Sequence, residues 1–291
     1  MLSKRSRALV EVLLVTFLWS TSYVLIKIGL KELNPIAFAT YRYVLASVVL
    51  IAFMLTRRKN DVFFEYKQLL IFLVLGFTGY FIAQGLQFLG LYYLPAITVT
   101  FILNMTPLFV LALSAFSLKE KPTFTQLIGV IITIYGVVLF FSNSPPVLNE
   151  AFGILLTVLS GMGWALYMII SRYYLRDNKV DVFALTSYSM FFGSLLLLGT
   201  TILSNNVTFP SINNWFVILW LSIINTALAF ILWNRALRVL RAYEQSILQN
   251  TMLIQITLLA YIFLGEMLTI QKIMGIIIVF IGVLIVQLSR R

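Results

Sequence analysis

The chain contains no cysteine and no histidine among its 291 residues. It can therefore form no disulfide and perform no thiol chemistry, and it lacks the commonest side-chain ligands of transition metals. Charged residues make up only 11% of the chain, against about a quarter in soluble proteins. Apolar residues reach 61%, which excludes a soluble domain as the principal unit. We expect no metal site and no cofactor.

Apolar segments of the length needed to cross a bilayer, about 20 residues, follow one another along nearly the whole chain. Ten can be drawn, at 8–30, 35–56, 68–91, 95–117, 124–142, 152–174, 181–203, 214–238, 243–264 and 271–289. The first is too long for the apolar core of a signal peptide and has no small-residue cleavage site, so we expect it to be retained. The sequence predicts an all-α membrane protein with ten transmembrane helices.

Positive charge is concentrated at alternate ends of these segments. Of the 21 lysines and arginines, all but four lie on one side; Lys27, Lys31 and Lys272 lie on the other, and Arg42 lies inside the second segment. The positive-inside rule then predicts cytoplasmic N and C termini in a bacterial or archaeal cell membrane. The net charge of +11 is interpreted as a topology signal with affinity for membrane lipids, not for nucleic acid.

An internal duplication is indicated by residues that recur after 145 or 146 positions. The recurring pairs include Trp19 and Trp164, Lys27 and Arg172, Tyr43 and Tyr188, Asn104 and Asn250, and Glu120 and Glu266. We predict a first five-helix repeat at 1–142, an extracytoplasmic linker at 143–150 and a second repeat at 151–291. Since five is odd, the second repeat is inverted in the membrane, and such repeats bind substrate near the bilayer midplane.

Several duplicated motifs resemble those of EamA-type permeases of the drug/metabolite transporter superfamily. They are WSTSYVLIK at 19–27, LKEKPTFTQLIG at 118–129, WALYMIISR at 164–172 and LGEMLTIQKIMG at 264–275. The resemblance covers essentially the whole chain. It implies a central cavity, alternating access and the export of amino acids, metabolites or drugs, without specifying one substrate.

Polar and aromatic residues placed deep in the predicted spans are the candidate substrate-binding residues. Trp19 and Trp164 lie at mid-span, where an indole N–H needs an acceptor that lipid does not offer. Arg42 would cost at least about 2.5 kcal/mol near the bilayer centre unless it is wetted or paired, so we expect it to face a cavity and bind an anion. The full set is Trp19, Tyr23, Arg42, Tyr80, Gln84, Asn104, Trp164, Tyr167, Gln245, Gln249 and Asn250.

The alternative for the Trp residues is packing between the repeats, and for the polar residues it is hydrogen bonding between helices. Asn104 precedes Pro107, which deprives the carbonyl of Leu103 of its helical partner and predicts a broken helix. Two gating ion pairs are also predicted between the repeats, Lys27 with Glu266 outside and Arg172 with Glu120 inside. The alternative is that these four are ordinary charges at helix ends.

No enzyme motif, phosphate-binding loop or paired mid-span carboxylate occurs, which argues against catalysis and ATP-driven transport. The sequence favours a secondary transporter that exports an amino acid or a similar small zwitterion or weak anion. The alternatives are a drug or cation exporter of the same superfamily and a membrane receptor or scaffold. Expected partners are the solute and membrane lipids, with the protein a monomer or homodimer.

Overall fold

The computed structural model describes residues 3–57, 66–117, 123–142, 145–177, 179–205 and 207–288. Within these ranges the regular structure is entirely helical. Nine helices of the described chain are long and apolar enough to cross a membrane, and a tenth apolar segment, Ala96–Leu111, is shorter. The prediction of an all-α protein with ten membrane helices is confirmed.

Two of the ten crossings contain a π-helical stretch and two others are broken, so the crossings comprise fourteen α-helices. These are α1 (Lys4–Gly29), α2 (Pro35–Arg57), α3 (Tyr66–Leu75), α4 (Leu86–Tyr93), α5 (Ala96–Leu103), α6 (Thr106–Ser117), α7 (Phe124–Phe141), α8 (Leu148–Arg176), α9 (Val182–Leu203), α10 (Ile212–Ser222), α11 (Ala229–Leu237), α12 (Ala242–Gln249), α13 (Thr251–Leu264) and α14 (Ile270–Leu288). The π-helical stretch Gly76–Gly85 joins α3 to α4, and Ile223–Leu228 joins α10 to α11.

Helix ends follow local sequence signals. The side chain of Asn34 accepts a hydrogen bond of 3.0 Å from the backbone N–H of Ile36, just inside α2, which begins at a proline. Asp181 caps α9 in the same way, accepting from the N–H of Phe183 at 2.8 Å. Helix α13 is followed by Gly265, whose φ of 67° is a conformation that glycine adopts without steric cost.

The two broken crossings were predicted at 95–117, with a break before Pro107, and at 243–264, as one unbroken helix. The first is interrupted at Asn104 and the second at Asn250. Pro107 has no N–H to offer the carbonyl of Leu103, which instead accepts the hydroxyl of Thr106 at 2.6 Å. At each break an asparagine lies inside the bundle, with 8% exposure for Asn104 and 3% for Asn250.

Helices α7 and α14 pack backbone against backbone between the two halves of the chain. A Cβ atom added to Gly282 would lie 2.7 Å from the backbone oxygen of Gly129, and one added to Gly136 would lie 3.0 Å from that of Gly275. Lipid provides no hydrophobic driving force between helices, so small residues that allow backbone contact stabilise the pair by van der Waals packing.

Two contacts locate both chain ends at the same end of the bundle. Arg5 binds Glu244 at 2.7 Å, and Gln287 donates to the hydroxyl of Ser246 at 3.0 Å, so α1 begins and α14 ends where α12 begins. We call this end the N-terminal face. The opposite end, which contains the residues around Pro146, is called the linker face. That the N-terminal face is cytoplasmic stays a prediction from the distribution of lysine and arginine.

Candidate functional site

Two adjoining cavities lie between the halves, together called the central cavity. The larger, of about 40 Å³, is lined by Trp19, Ser22, Tyr23, Arg42, Ala83, Gln84, Gln87, Leu103, Ser160, Trp164, Gln249 and Met252. The smaller, of about 20 Å³, is lined by Tyr23, Thr100, Leu103, Asn104, Thr106, Pro107, Ser246, Gln249, Asn250 and Met252. These volumes suit a few water molecules each.

Most of the predicted binding residues line this cavity. Those that do are Trp19, Tyr23, Arg42, Gln84, Asn104, Trp164, Gln249 and Asn250. Tyr80, Tyr167 and Gln245 do not; they are completely buried behind it. The hydroxyls of Tyr80 and Tyr167 lie 3.1 Å apart, and the amide of Gln245 donates to the carbonyl of Trp233 at 2.9 Å. These three side chains therefore form hydrogen bonds between helices, which was the alternative to substrate binding.

The mid-span tryptophans contact each other at the cavity. Their ring centroids are 5.6 Å apart with the rings nearly perpendicular, an edge-to-face arrangement. The Nε1–H of Trp19 donates to the backbone oxygen of Asn225 at 3.0 Å, and that of Trp164 donates to the side-chain oxygen of Gln249 at 3.1 Å. Each indole thus has the acceptor that its position in the membrane requires, and the pair both packs the halves together and lines the cavity.

Within the part of the chain that the structure describes, Arg42 is the only cation that lines the central cavity, and 3% of its surface is exposed. Its Nε donates to the hydroxyl of Thr226 at 2.6 Å and its Nη2 to the backbone oxygen of Asn225 at 3.2 Å. Among the described residues it forms no ion pair. A guanidinium has five N–H donors, so these two bonds leave donors free at the cavity wall.

The π-helical stretches supply backbone acceptors to the opposite half of the chain. In a π-helical turn the backbone hydrogen-bond register shifts, which frees the carbonyl of Asn225 for Trp19 and Arg42. In the other half, the carbonyl of Ala83 accepts the hydroxyl of Ser160 at 2.5 Å. Sequence reasoning missed Asn225 and Ser160. For Asn225 the only signal was an isolated amide in an apolar run; for Ser160 there was none.

The predicted ion pair between Lys27 and Glu266 is replaced by two separate contacts. Lys27 donates to the carbonyls of Leu91 and Leu94, at 2.9 and 3.0 Å. Glu266 accepts the backbone N–H groups of the first two residues of α5, at 2.7 and 3.0 Å. Lys27 thus satisfies unpaired carbonyls at the end of α4, and Glu266 satisfies unpaired N–H groups at the start of α5. The two contacts lie on either side of the turn between these helices. Of these two residues, only Glu266 makes a contact between the halves.

The second predicted pair is that of Arg172 with Glu120. Only the contacts of Arg172 can be described, because Glu120 lies outside the described residues. Arg172 donates to the carbonyl of Leu237. A shift of 146 residues takes Leu91 to Leu237, so this contact corresponds to that of Lys27 in the first half. The equivalent contacts lie at opposite faces of the bundle.

Ion pairs that the sequence did not predict join the halves at the N-terminal face. Glu11, with 8% exposure, binds Arg235 through both carboxylate oxygens, at 2.5 and 3.0 Å. Arg7 adds a contact of 3.1 Å with the same carboxylate, and Arg5 binds Glu244 at 2.7 Å. These acids have no duplicated partner in the other repeat, which is why the repeat pattern did not reveal them.

At the linker face, Glu32 joins the halves. Its carboxylate accepts the backbone N–H of Ser211 at 2.7 Å and the side-chain amide of Asn214 at 2.6 Å. The bond from the Ser211 N–H, followed by that from the Ser211 hydroxyl, lowers the pKa of Glu32 below its ordinary value. Contacts between the halves therefore exist at both faces of the bundle.

Comparison with known proteins matches this arrangement to a family. The EamA-like transporter family matches the chain twice, at residues 6–142 and 151–288. The chain belongs to the EamA-like transporter family. This membership agrees with the apolar helices in identifying a multi-pass membrane protein.

Relatives of this EamA-like protein are named as transporters. An uncharacterized transporter of Archaeoglobus fulgidus is 31% identical over 237 residues, covering 77% of this chain and 78% of the relative. An S-adenosylmethionine/S-adenosylhomocysteine transporter of Chlamydia trachomatis serovar L2 is 28% identical over 201 residues, covering 66% of this chain and 60% of the relative. A crystal structure with a TM-score of 0.72 and 18% identity, covering 99% of this chain and 100% of the other, shares the fold.

Proposed function

We propose that this EamA-like protein exports a small zwitterion or weak anion, such as an amino acid, across the cell membrane. The observation that carries the proposal is the buried guanidinium of Arg42, which lines the central cavity without an acidic partner among the described residues. A buried charge needs a partner, and a guanidinium matches the geometry of a carboxylate. A solute carboxylate in the cavity would supply that partner.

The aromatic wall suits the other end of a zwitterion. Trp19 and Trp164 line the same cavity as Arg42, as does Tyr23. An ammonium group close to the face of an indole or phenol ring gains about 0.5–2 kcal/mol from cation–π attraction. No aspartate or glutamate of the described chain lines the central cavity, so a purely cationic drug would meet Arg42 without a compensating acid. This disfavours the alternative of a cation exporter.

Alternating access is the proposed mechanism. The central cavity is too small for an amino acid with its water, at about 40 and 20 Å³, so loading requires the halves to separate at one face. Glu32 and Glu266 bridge the halves at the linker face, and Glu11 bridges them at the N-terminal face. Equivalent contacts at opposite faces support two inverted repeats, which could open at either face by related movements.

S-adenosylmethionine is a second candidate solute, because one relative is named as its transporter. It also carries a carboxylate and an ammonium on one carbon, so Arg42 and the tryptophans would bind it by the same groups. Its further sulfonium and nucleoside parts would need more space than the present cavity provides. Both candidates therefore contain an amino-acid head group, which is the part of the solute that Arg42 and the tryptophans would bind.

Purified protein in liposomes loaded with unlabelled solute tests the proposal by uptake of labelled solute. Individual amino acids, S-adenosylmethionine and the lipophilic cation tetraphenylphosphonium are compared. Arg42→Gln should raise the half-saturation concentration of the transported zwitterion about tenfold or more, since a charge-assisted hydrogen bond contributes about 1.5–3 kcal/mol. Arg42→Lys should retain part of the affinity, and Lys31→Gln, at an exposed position, is the matched control.

Wild-type protein that exchanges none of the amino acids or S-adenosylmethionine would contradict the proposal, as would unchanged affinity in Arg42→Gln. Exchange of tetraphenylphosphonium alone would establish the cation exporter instead. The absence of exchange with any solute would favour a receptor or scaffold.

A further inference from the structure

A third cavity, of about 60 Å³, opens at the linker face, and we call it the linker-face cavity. It lies between the halves: Leu94, Pro95 and Phe140 come from the first, Lys272 comes from the second, and Glu150 comes from the end of the linker, where α8 begins. It shares no lining residue with the central cavity. It is therefore a separate space on the same boundary between the repeats.

Two opposite charges line this cavity without pairing. Among the described residues, Glu150 and Lys272 form no ion pair within 4.0 Å of each other. One carboxylate oxygen of Glu150 accepts the backbone N–H of Val147 at 3.2 Å, which holds the side chain at the start of α8. The ammonium of Lys272 lies 5.7 Å from the ring centroid of Phe140. Both charges are thus held at the cavity wall.

The aromatic wall beneath Lys272 is part of the packed core. Phe140 is 2% exposed and stacks on Phe101, with ring centroids 4.0 Å apart and the planes inclined by 11°. The ring therefore lies next to the ammonium in a position set by this stacking. At about 60 Å³, the linker-face cavity is similar in size to the central cavity, so a head group that binds here also requires the cavity wall to widen.

The corresponding position at the N-terminal face is closed. The repeat shifts take Arg5 to Glu150 and Thr98 to Glu244. Arg5 and Glu244 bind each other at 2.7 Å, whereas Thr98, which lines the linker-face cavity, offers Glu150 no charge to pair with. Lys272 supplies the opposite charge from a third helix. The same site in the inverted copy is filled by an ion pair, and here two charges remain separated by a cavity.

We propose that the linker-face cavity binds a zwitterionic head group, with a primary ammonium at Glu150 and a carboxylate or phosphate at Lys272. The apolar part of the ligand packs on Phe140. Two kinds of ligand carry these groups: a free amino acid, and a membrane lipid with an ethanolamine phosphate head group. The inference does not depend on the proposed function of the central cavity, because no residue is common to both.

Equilibrium binding to the detergent-solubilised protein tests this site. The probes are L-leucine, measured by calorimetry, and short-chain phosphatidylethanolamine, measured by native mass spectrometry beside phosphatidylcholine and phosphatidylglycerol of the same chain length. Phosphatidylcholine has no ammonium N–H, and phosphatidylglycerol has no cation. Glu150→Gln keeps an acceptor for the helix start but removes the charge, and Lys272→Gln removes the other. Lys31→Gln is the control for loss of an exposed lysine.

Each neutral variant should weaken the responding probe about fivefold, as expected for a partly exposed charge pair. Glu150→Lys alone should abolish this binding, and its combination with Lys272→Glu should restore part of it, because the charges are then complementary again. Binding that Glu150→Gln and Lys272→Gln weaken but Arg42→Gln does not belongs to this site, whereas binding that only Arg42→Gln weakens belongs to the central cavity.

A response of leucine identifies a soluble amino acid as the source, and a response of phosphatidylethanolamine but not of the other two lipids identifies a lipid. If neither probe binds, or if binding is equal in wild type, Glu150→Gln and Lys272→Gln, the proposal is overturned. Folding of the variants is checked by their melting temperatures.

Discussion

The carboxylate of Glu11 is predicted to hold the halves together at the N-terminal face, and Glu11→Gln should open it. Glu11 binds Arg235 through two bonds of 2.5 and 3.0 Å, and it also contacts Arg7. Breaking a buried pair costs about 3–5 kcal/mol. Since the side chain of Arg235 is 43% exposed, water screens much of this, and we expect about 1–2 kcal/mol. That shifts the population open at this face roughly tenfold.

The absence of native cysteine makes this shift measurable by labelling. Ser22→Cys places a single thiol at the wall of the central cavity. A membrane-impermeant maleimide is added from the N-terminal face, and the rate of modification is compared with and without Glu11→Gln. The rate should rise about tenfold in the double variant, in proportion to the open population.

Asp177→Asn is the matched control, because Asp177 binds Arg176 and Lys179 at 3.2 and 3.4 Å close to the same face but is 46% exposed. Exposed pairs contribute about 0–1 kcal/mol, so this variant should label at nearly the background rate. The reasoning is refuted if Glu11→Gln leaves the labelling rate unchanged, or if Asp177→Asn accelerates it equally.

Two further predictions concern stability. A Cβ at Gly282 would lie 2.7 Å from the backbone oxygen of Gly129, so Gly282→Ala should destabilise the protein by about 1–3 kcal/mol and lower its melting temperature. Gly199→Ala, with no atom within 4 Å, should not, and equal melting of the two variants would contradict this. The hydrogen bond from the Ser211 N–H is the main cause of the lowered pKa of Glu32. The ionised carboxylate therefore stabilises the fold at pH values above the ordinary glutamate pKa of about 4.3. This stabilisation is lost as the pH falls through the lowered pKa. The melting advantage of wild type over Glu32→Gln should therefore disappear in acid, and a difference that does not decrease as the pH falls below the ordinary glutamate pKa of about 4.3 would count against it.

Much of the fold could be predicted from the sequence because length and apolarity suffice to specify a membrane helix. Every predicted segment contains helix in the structure, and the break before Pro107 follows from the missing N–H of proline. The break at Asn250 was not predicted, since no proline marks it. The π-helical stretches were also not predicted, because their sequences are as apolar as the helices that flank them.

The sequence by itself determined the membrane class, the ten crossings and a set of deep polar residues, since these depend on composition and spacing along one helix. Tertiary structure alone decided which of those residues reach the cavity, because that depends on how each helix is rotated and what packs against it. Tyr80 and Tyr167 bind each other behind the wall, while Asn225 offers a backbone oxygen that no side-chain pattern could reveal. The pairing of Glu11 with Arg235, 224 residues apart, likewise exists only once the helices have assembled.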